Sequence, residues 1–532
     1  MKKLPIGIQN FREIVNSDYV YIDKTKYIYD LLNSVKCYFL SRPRRFGKSL
    51  LLDTIAEVFS GDKELFRGLW IHDSDYSFDM HPVLRLDMSN LSSETPQILE
   101  RELTASLSSR ANTEGFELTF VSPSSALRNL IERLRRKYNR SVVILIDEYD
   151  KPILDHLLDT ATAEANRATL RSFYGVLKSM DPYLKLTFIT GVTKFTKTSM
   201  FSELNNLLDI TLFEEYAGIC GIPVEELDNS LHEHVEALAS IDYFKQYKSI
   251  RDEILAWYDG YSWDGVNRVL NPFGLFTFFL HRKFSSFWYA SGSPTFLISL
   301  LKQKPASFLA LSNVEMRERV LDTFDINKIG AASLLFQTGY LTVKKILPGM
   351  GPPVYLLDIP NLEVREALYM NIIAEFTEHG EEFAETAYLR IRESLRTGDL
   401  QNILEILRGL FASIPYALHV DAEAYYHSLF FALMSVLGFH VDAEVSTSTG
   451  RIDAVLELDD KVYIMEFKYQ HCDPGADADV KRGIFDEALD RGMKQIRDRG
   501  YAAKYSGSGK TIYQTAFAFL GRDNVEMRTE II

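Results

Sequence analysis

The chain has 532 residues, a net charge of −14 and a hydrophobic fraction of 46%, which is too long for one core and fits a folded protein of about two to four domains. That acidity excludes a broad basic footprint and leaves room only for a local basic groove. Cys37, Cys220 and Cys472 are too far apart for a disulfide framework or a cysteine zinc site, MKKLPIGIQNF lacks the apolar stretch of a signal peptide, and no run of 18 apolar residues occurs, so a cytoplasmic protein without a membrane span is expected.

The first element with chemistry is SRPRRFGKSL, residues 41–50. The apolar run VKCYFLS before it predicts a buried parallel strand, and SLLLDTIAEVF after it places Leu51, Leu52, Ile55, Val58 and Phe59 at helical spacing. A turn between strand and helix presents free amides to an anion. Gly47, Lys48 and Ser49 supply the tail of a phosphate-binding loop, in which the ammonium serves the β/γ-phosphates and the hydroxyl serves magnesium, but Arg42 stands where such a loop has its first glycine. Arg44 and Arg45 either touch phosphate or fan into water.

Next come a strand at HPVLRLDMS (81–89), helices near 96–108 and 124–138, and a strand in SVVILIDEYD (141–150). The last delivers Asp147 and Glu148 to the carboxyl end of the sheet, where ligands collect. Asp147 is placed to hold magnesium and Glu148 to polarise an attacking water. A helix over 165–179 precedes a fourth strand, LKLTFITGVTKF (184–195), and DITLFEE (209–215) is a candidate fifth. Thr190, at the tip of the fourth, either senses a γ-phosphate or caps a helix. Arg167 and Arg171 are arginine-finger candidates, with surface ion pairing as the alternative. The alternation predicts a doubly wound domain.

Residues 221–290 read as largely helical, with aromatics in ILAWYDGYSWDG and NPFGLFTFFLHRKF that signal core rather than a base-stacking platform. LLFQTGYLTVKKI and PPVYLLDIP suggest a small antiparallel pair in a lid or arm, followed by helices over about 362–418 interrupted at Gly398. Near the C-terminus RIDAVLEL and KVYIMEFKY form a hairpin joined by Asp459-Asp460. Asp453 lies on its first strand, and Glu466 and Lys468 share a face of the second because side chains repeat every two residues. Two carboxylates and an ammonium can hold magnesium, orient water and stabilise charge on a phosphodiester; ordinary cross-strand charge pairing is the alternative. A helix in DAEAYYHSLFFALMSVLGF offers Glu423 as a further metal ligand, and a helix over 487–501 presents Gln495.

With these motifs assembled, residues 1 to about 290 resemble the bacterial and archaeal AAA-ATPase-like family, on RPRRFGKS, YVYIDKTKYIYDLL (19–32), LIDEYDKPI (145–153) and FITGVTKF (188–195). The resemblance implies ATP and Mg2+ at Arg42, Arg44, Arg45, Phe46, Gly47, Lys48, Ser49, Leu50, Asp147 and Thr190, with Ser49 and Asp147 on the metal, Glu148 as the acid of hydrolysis, and Asp23 to Thr25 near the nucleotide entrance. The C-terminal portion resembles the PD-(D/E)XK nuclease superfamily, with Glu423, Asp453 and Glu466 as metal ligands, Asp453, Glu466, Lys468 and Gln495 as catalytic residues, and Ile452 in place of the proline of the motif's name. The expected fold is α/β: a P-loop NTPase-type parallel sheet over 1–220, a helical lid or arm with a small β element over 221–370, a helical connector over 371–404 and a restriction-endonuclease-like α/β domain over 405–532. DNA or RNA is the expected partner, no membrane is involved, and homo-oligomerisation is left open.

Overall fold

The structure is a computed structural model that describes residues 1–194, 206–290, 314–321, 330–348, 351–376, 380–412, 433, 440–444, 451–458, 460–470, 476–505, 507–520 and 524–532. The chain divides into two compact units, Met1–Phe296 with Asn313–Glu363, and Leu297–Ser312 with Val364–Ile532.

A parallel five-stranded sheet organises the first unit. Its strands are β1 (Cys37–Ser41), β2 (Val83–Asp87), β3 (Val142–Asp147), β4 (Leu184–Gly191) and β5 (Leu208–Asp209), in spatial order β2-β3-β4-β1-β5. Every residue of β1 and β3 is buried, which is why both read as unbroken apolar runs rather than alternating ones. The expected fifth strand is shorter than DITLFEE suggested: after Asp209, whose carboxylate pairs with Lys194, the chain turns. The helices between strands are α1 (Lys48–Val58), α2 (Pro96–Thr113), α3 (Pro123–Tyr138) and α4 (Thr160–Ser179), and α2, α3 and α4 pack on one another. Their starts are written locally. Thr95 accepts a bond from Ile98 N ahead of Pro96, Ser122 and Ser125 form a reciprocal capping box ahead of Pro123, and Asp159 accepts one from Thr162 N.

The rest of this unit is largely helical, as expected, with short strands between the helices. β6 (Ile222–Pro223) pairs with β7 (Val269–Leu270), and α5 (Pro272–His281) follows, capped by Asn271 Oδ1 on Gly274 N at 2.8 Å. As expected, the aromatics here are core: Tyr258, Phe276, Phe278 and Phe279 are buried, with Trp257 and Phe284 against them. The expected antiparallel pair is present as the inner and one outer strand of a three-stranded sheet of β8 (Val314–Arg317), β9 (Thr342–Leu347) and β10 (Val354–Asp358), but LLFQT belongs to helix α6 (Ala331–Thr338).

Helix α7 (Leu362–Phe376) carries the chain into the second unit, followed by α8 (Gly380–Thr397) and α9 (Leu400–Ala412), separated at Gly398 as the sequence suggested. A mixed sheet follows, made of β11 (His440–Glu444), β12 (Arg451–Glu457), β13 (Lys461–Gln470), β14 (Thr511–Leu520) and β15 (Asn524–Ile531), in chain order, with only β13 and β14 parallel. The parallel pair needs a crossover, and α10 (Ala478–Arg499) supplies it, packing on both strands through Ala488, Leu489, Met493 and Ile496. No helix among the described residues is long and apolar enough to cross a membrane.

Candidate active sites

The first site lies at the carboxyl end of the parallel sheet. Gly47 adopts φ +94°, a left-handed conformation that other residues reach only with strain, and it turns the chain from the loop into α1. Arg45 is also left-handed, at φ +67°. The first-turn amides of α1, at Lys48, Ser49 and Leu50, have no intrahelical acceptor, and no side chain caps this end. They join Arg44, Arg45, Gly47 and Glu148 in lining a cleft of about 310 Å³, whose other wall is Pro5 to Gln9 with Pro272, Phe273 and Phe276. An anion in this cleft would meet amides, a helix N-terminus and cations together.

The acids stand opposite. Asp147 Oδ2 accepts from Ser49 Oγ at 2.5 Å and Asp147 Oδ1 from Thr190 Oγ1 at 2.6 Å, so one carboxylate links β3, β4 and the loop after β1. Because β4 is inserted between β1 and β3, its tip residue Thr190 falls between the loop and the acids, and of the two readings of this threonine the helix cap does not apply. Glu148 takes φ +49°, a left-handed conformation worth on the order of 1 kcal/mol of strain, and lines the cleft with Lys48. Burial pushes its carboxyl above the usual range, against the pull of the Lys48 ammonium. Lys48 itself is buried and donates to the carbonyls of Arg42 and Pro43 at 3.0 and 3.1 Å.

Arg42 has a different surrounding from its neighbours. Its side chain is fully buried, donating to the carbonyls of Ser41 and Thr211 at 2.9 Å and of Tyr216 at 3.2 Å, with the guanidinium 3.8 Å above the Trp263 ring. Burial lowers its pKa to about 10. The guanidinium is therefore committed to the framework beneath the loop, while Arg44 and Arg45 are exposed along the cleft. Phe46 is likewise buried, edge-on to Tyr261 at 4.7 Å and Trp263 at 5.7 Å. Trp288 Nε1 donates to Arg44 O at 2.9 Å, Trp288 N donates to Glu363 Oε1 at 2.6 Å, and Arg45 lies over Phe273 at 4.9 Å. The loop is thus gripped by aromatics more than 200 residues away. Sequence pattern places Tyr261 and Trp263 only in a core, and nothing local to Tyr261, Trp263 or Trp288 points to the loop.

Other motif residues have structural employment. Asp23 accepts from Thr25 N at 2.8 Å, Thr25 Oγ1 at 2.7 Å and Trp70 N at 2.7 Å, so its carboxylate is used in capping. Lys24 lines an apolar cavity that shares Gly47, Leu50 and Phe276 with the cleft. Asp150 accepts from Val192 N, Thr193 N and Thr193 Oγ1, tying the LIDEYD turn to the end of β4. Arg167 ion-pairs with Glu164 at 2.5 Å on the same helix, the alternative raised for it.

The second site lies on the mixed sheet. Register sets Asp453 directly opposite Glu466 on the neighbouring strand, and facing residues of an antiparallel pair share a side. Glu466 is 2% exposed, and Lys468 Nζ donates to Glu466 Oε1 and Gln495 Oε1, both at 2.6 Å. Gln495 Nε2 is buried without a partner among the described residues. Helix α10 comes this close because of Gly492, where a Cβ would stand 2.8 Å from Ala516 Cβ and 3.7 Å from Lys468 Cγ. The structure thus brings Glu466, Lys468 and Gln495 together and aligns Asp453 with them; Glu423 lies outside the described residues.

With both sites laid out, comparison with known proteins is informative. Residues 5–201 match the family described as Predicted AAA-ATPase, and residues 421–528 match the PD-(D/E)XK nuclease superfamily. A protein of Azotobacter chroococcum mcd 1, described as an uncharacterized protein in the vnfD 5′ region, is 36% identical over 526 residues, covering 97% of this chain and 96% of that one. The chain belongs to the AAA-ATPase-like family that carries a PD-(D/E)XK nuclease superfamily domain.

The cofactors implied by both halves of this family can be tested against the residues present. At the loop, backbone amides, Lys48, Arg44 and Arg45 fit a triphosphate, and Ser49 with Asp147 offers hard oxygen donors for magnesium. At the nuclease-like sheet, Asp453 and Glu466 are donors of the same kind, although among the described residues no group of three or more His, Cys, Asp or Glu side chains is gathered for a metal. Lys468 is placed beside Glu466.

Proposed function

We propose that the chain binds ATP with magnesium at the RPRRFGKS loop and hydrolyses it, and that this nucleotide cycle governs metal-dependent phosphodiester cleavage of nucleic acid at the Asp453, Glu466 and Lys468 site. The observation that carries the nucleotide reading is the bond to Asp147 Oδ2, at 2.5 Å, from the Oγ of Ser49, which lines the cleft with Lys48 and Glu148. Ser49 and Asp147 would share the magnesium, Lys48 would leave its own loop's carbonyls for the β/γ-phosphates, and Glu148 would orient the attacking water. Thr190 keeps Asp147 turned toward Ser49. Arg42 contributes the shape of the loop rather than a phosphate contact, since its donors are already on carbonyls.

The cleavage reading is supported by Lys468 bridging Glu466 and Gln495 beside the register position of Asp453. A metal held there supplies a Lewis acid and a water of lowered pKa. Lys468 would orient that water and offset charge developing on the phosphate, while Gln495, whose Nε2 has no partner among the described residues, would be offered to the substrate. Calorimetry of ATP binding, and digestion of single- and double-stranded DNA and RNA with magnesium or manganese, with and without ATP, test both parts. ATP binding without cleavage of any substrate would leave a nucleotide switch whose second unit binds a partner.

A further inference from the structure

One strongly basic stretch of the described surface belongs to neither site. Residues 128–140 contain six cations, Arg128, Arg133, Arg135, Arg136, Lys137 and Arg140, and one acid, Glu132, for a local charge of +5 in a chain of −14. Helix α3 buries Ala126, Leu127, Leu130, Ile131 and Leu134, which sends the cations to the other side. Three of them have work in the fold. Arg133 Nε donates to Asn129 Oδ1 at 3.0 Å, Lys137 pairs with Glu114 at 2.8 Å, and Arg140 lies 3.9 Å from Asp79. Arg128, Arg135 and Arg136 have no acidic partner among the described residues, and Arg128 and Arg136 are exposed. The row continues onto α4, since Ser124 Oγ donates to Ser172 O at 3.1 Å and the neighbouring Arg171 is exposed, again with no acid paired to it among the described residues.

We infer that this face of α3 and α4 binds the phosphate backbone of duplex nucleic acid without reading its sequence, so that the ATPase-like unit itself holds the polymer. Arg128 to Arg136 covers ~12 Å of helix, opposite on the order of seven duplex charges at ~1.7 Å each. Arginine is the suitable cation, because its planar fork takes two phosphate oxygens at once. An acidic protein partner fits less well. Protein interfaces centre on apolar and aromatic side chains, whereas the large exposed apolar residues nearby, Phe120 and Val121, precede the helix rather than interleave with its arginines. The inference requires neither ATP hydrolysis nor cleavage.

The test is fluorescence anisotropy of the full-length chain with a labelled duplex of about 30 base pairs, in chelator so that metal-dependent cleavage is silent, across a salt series. For R128A/R135A/R136A, affinity should fall at least tenfold and the slope of log K against log salt should shrink by about 2.7, at ~0.9 per phosphate contact. The all-lysine variant should keep most of the slope, which separates loss of charge from loss of fold, with the circular dichroism spectrum as a further control. Unchanged affinity and slope in the alanine variant would overturn the inference, as would a fall in affinity with the slope intact. Displacement of the duplex by poly-glutamate at equal charge concentration would overturn it in favour of an acidic protein. Failure of the nuclease reading is scored separately, by adding magnesium to the same mixtures and looking for cleavage.

Discussion

The two sites use the same materials, a lysine and carboxylates carried by a sheet, but they are assembled differently. Glu466 and Lys468 are two residues apart on one strand, and Asp453 is in register with Glu466 across a hairpin, so three of the four groups come from 16 consecutive residues. The phosphate loop is short too, but its shape is enforced from afar: Trp263 beneath Arg42, Tyr261 against Phe46, and Trp288 on the carbonyl of Arg44. In the hairpin, local alternation is sufficient to bring the polar groups together. In the loop, a residue too large for the usual glycine position is accommodated because a distant aromatic layer buries it and three backbone carbonyls receive its hydrogen bonds. One site is therefore expected to be sensitive to its own residues only, and the other also to residues that never approach a ligand.

The largest expected effect is at the hairpin. Glu466→Ala should reduce metal-dependent cleavage by about a thousandfold, since a metal's charge stabilisation is worth several kcal/mol, while calorimetric ATP affinity stays as in wild type. Any shift in ATP affinity would break the comparison. Arg42→Ala should come next. It strips donors from the carbonyls of Ser41, Thr211 and Tyr216 in a buried place and should lower stability of the first unit by about 3 kcal/mol, seen in chemical denaturation, with weaker ATP binding as a consequence. Unchanged stability would mean that the loop does not depend on this anchor.

Lys48→Ala should weaken ATP binding by about tenfold to a hundredfold, the range of a lost charge-assisted bond, with a smaller loss of stability than Arg42→Ala because it strips donors from the carbonyls of Arg42 and Pro43 only; calorimetry and denaturation read side by side distinguish the two variants. The smallest effect concerns pH. Glu363 is fully buried, among the described residues accepts only from Trp288 N with one of its oxygens, and burial pushes its carboxyl up to about 8. Between the ordinary glutamate range and about 8 the folded chain keeps a proton that the unfolded chain releases, so stability is lost as pH rises through that window. Glu363→Gln removes the titrating group and should flatten that dependence between pH 6 and 8.5 in thermal unfolding. An equally steep profile in the variant would show that Glu363 does not titrate there.

Local pattern in the chain discloses the strands that are buried on both faces, the helices with explicit caps, the family, and the hairpin residues. All of these follow from patterns within about 20 residues: apolar runs, capping residues and a period of two. The helix carrying Gln495 was also legible, although it begins at Ala478 rather than near 487. LLFQT was read as strand because a short apolar run looks the same in either state, and its packing as α6 is a tertiary outcome. Only the tertiary structure decided that Arg42 is a framework residue while Arg44 and Arg45 face the cleft, because three arginines within four positions look alike until the fold buries one of them. Likewise, only the fold brought Thr190 to Asp147, through the insertion of β4 between β1 and β3, and set Trp288 between Arg44 and Glu363. The reason is physical: local periodicity fixes which face a side chain takes, but its partner across tens or hundreds of residues is chosen by strand order and by which polar groups burial leaves to be satisfied.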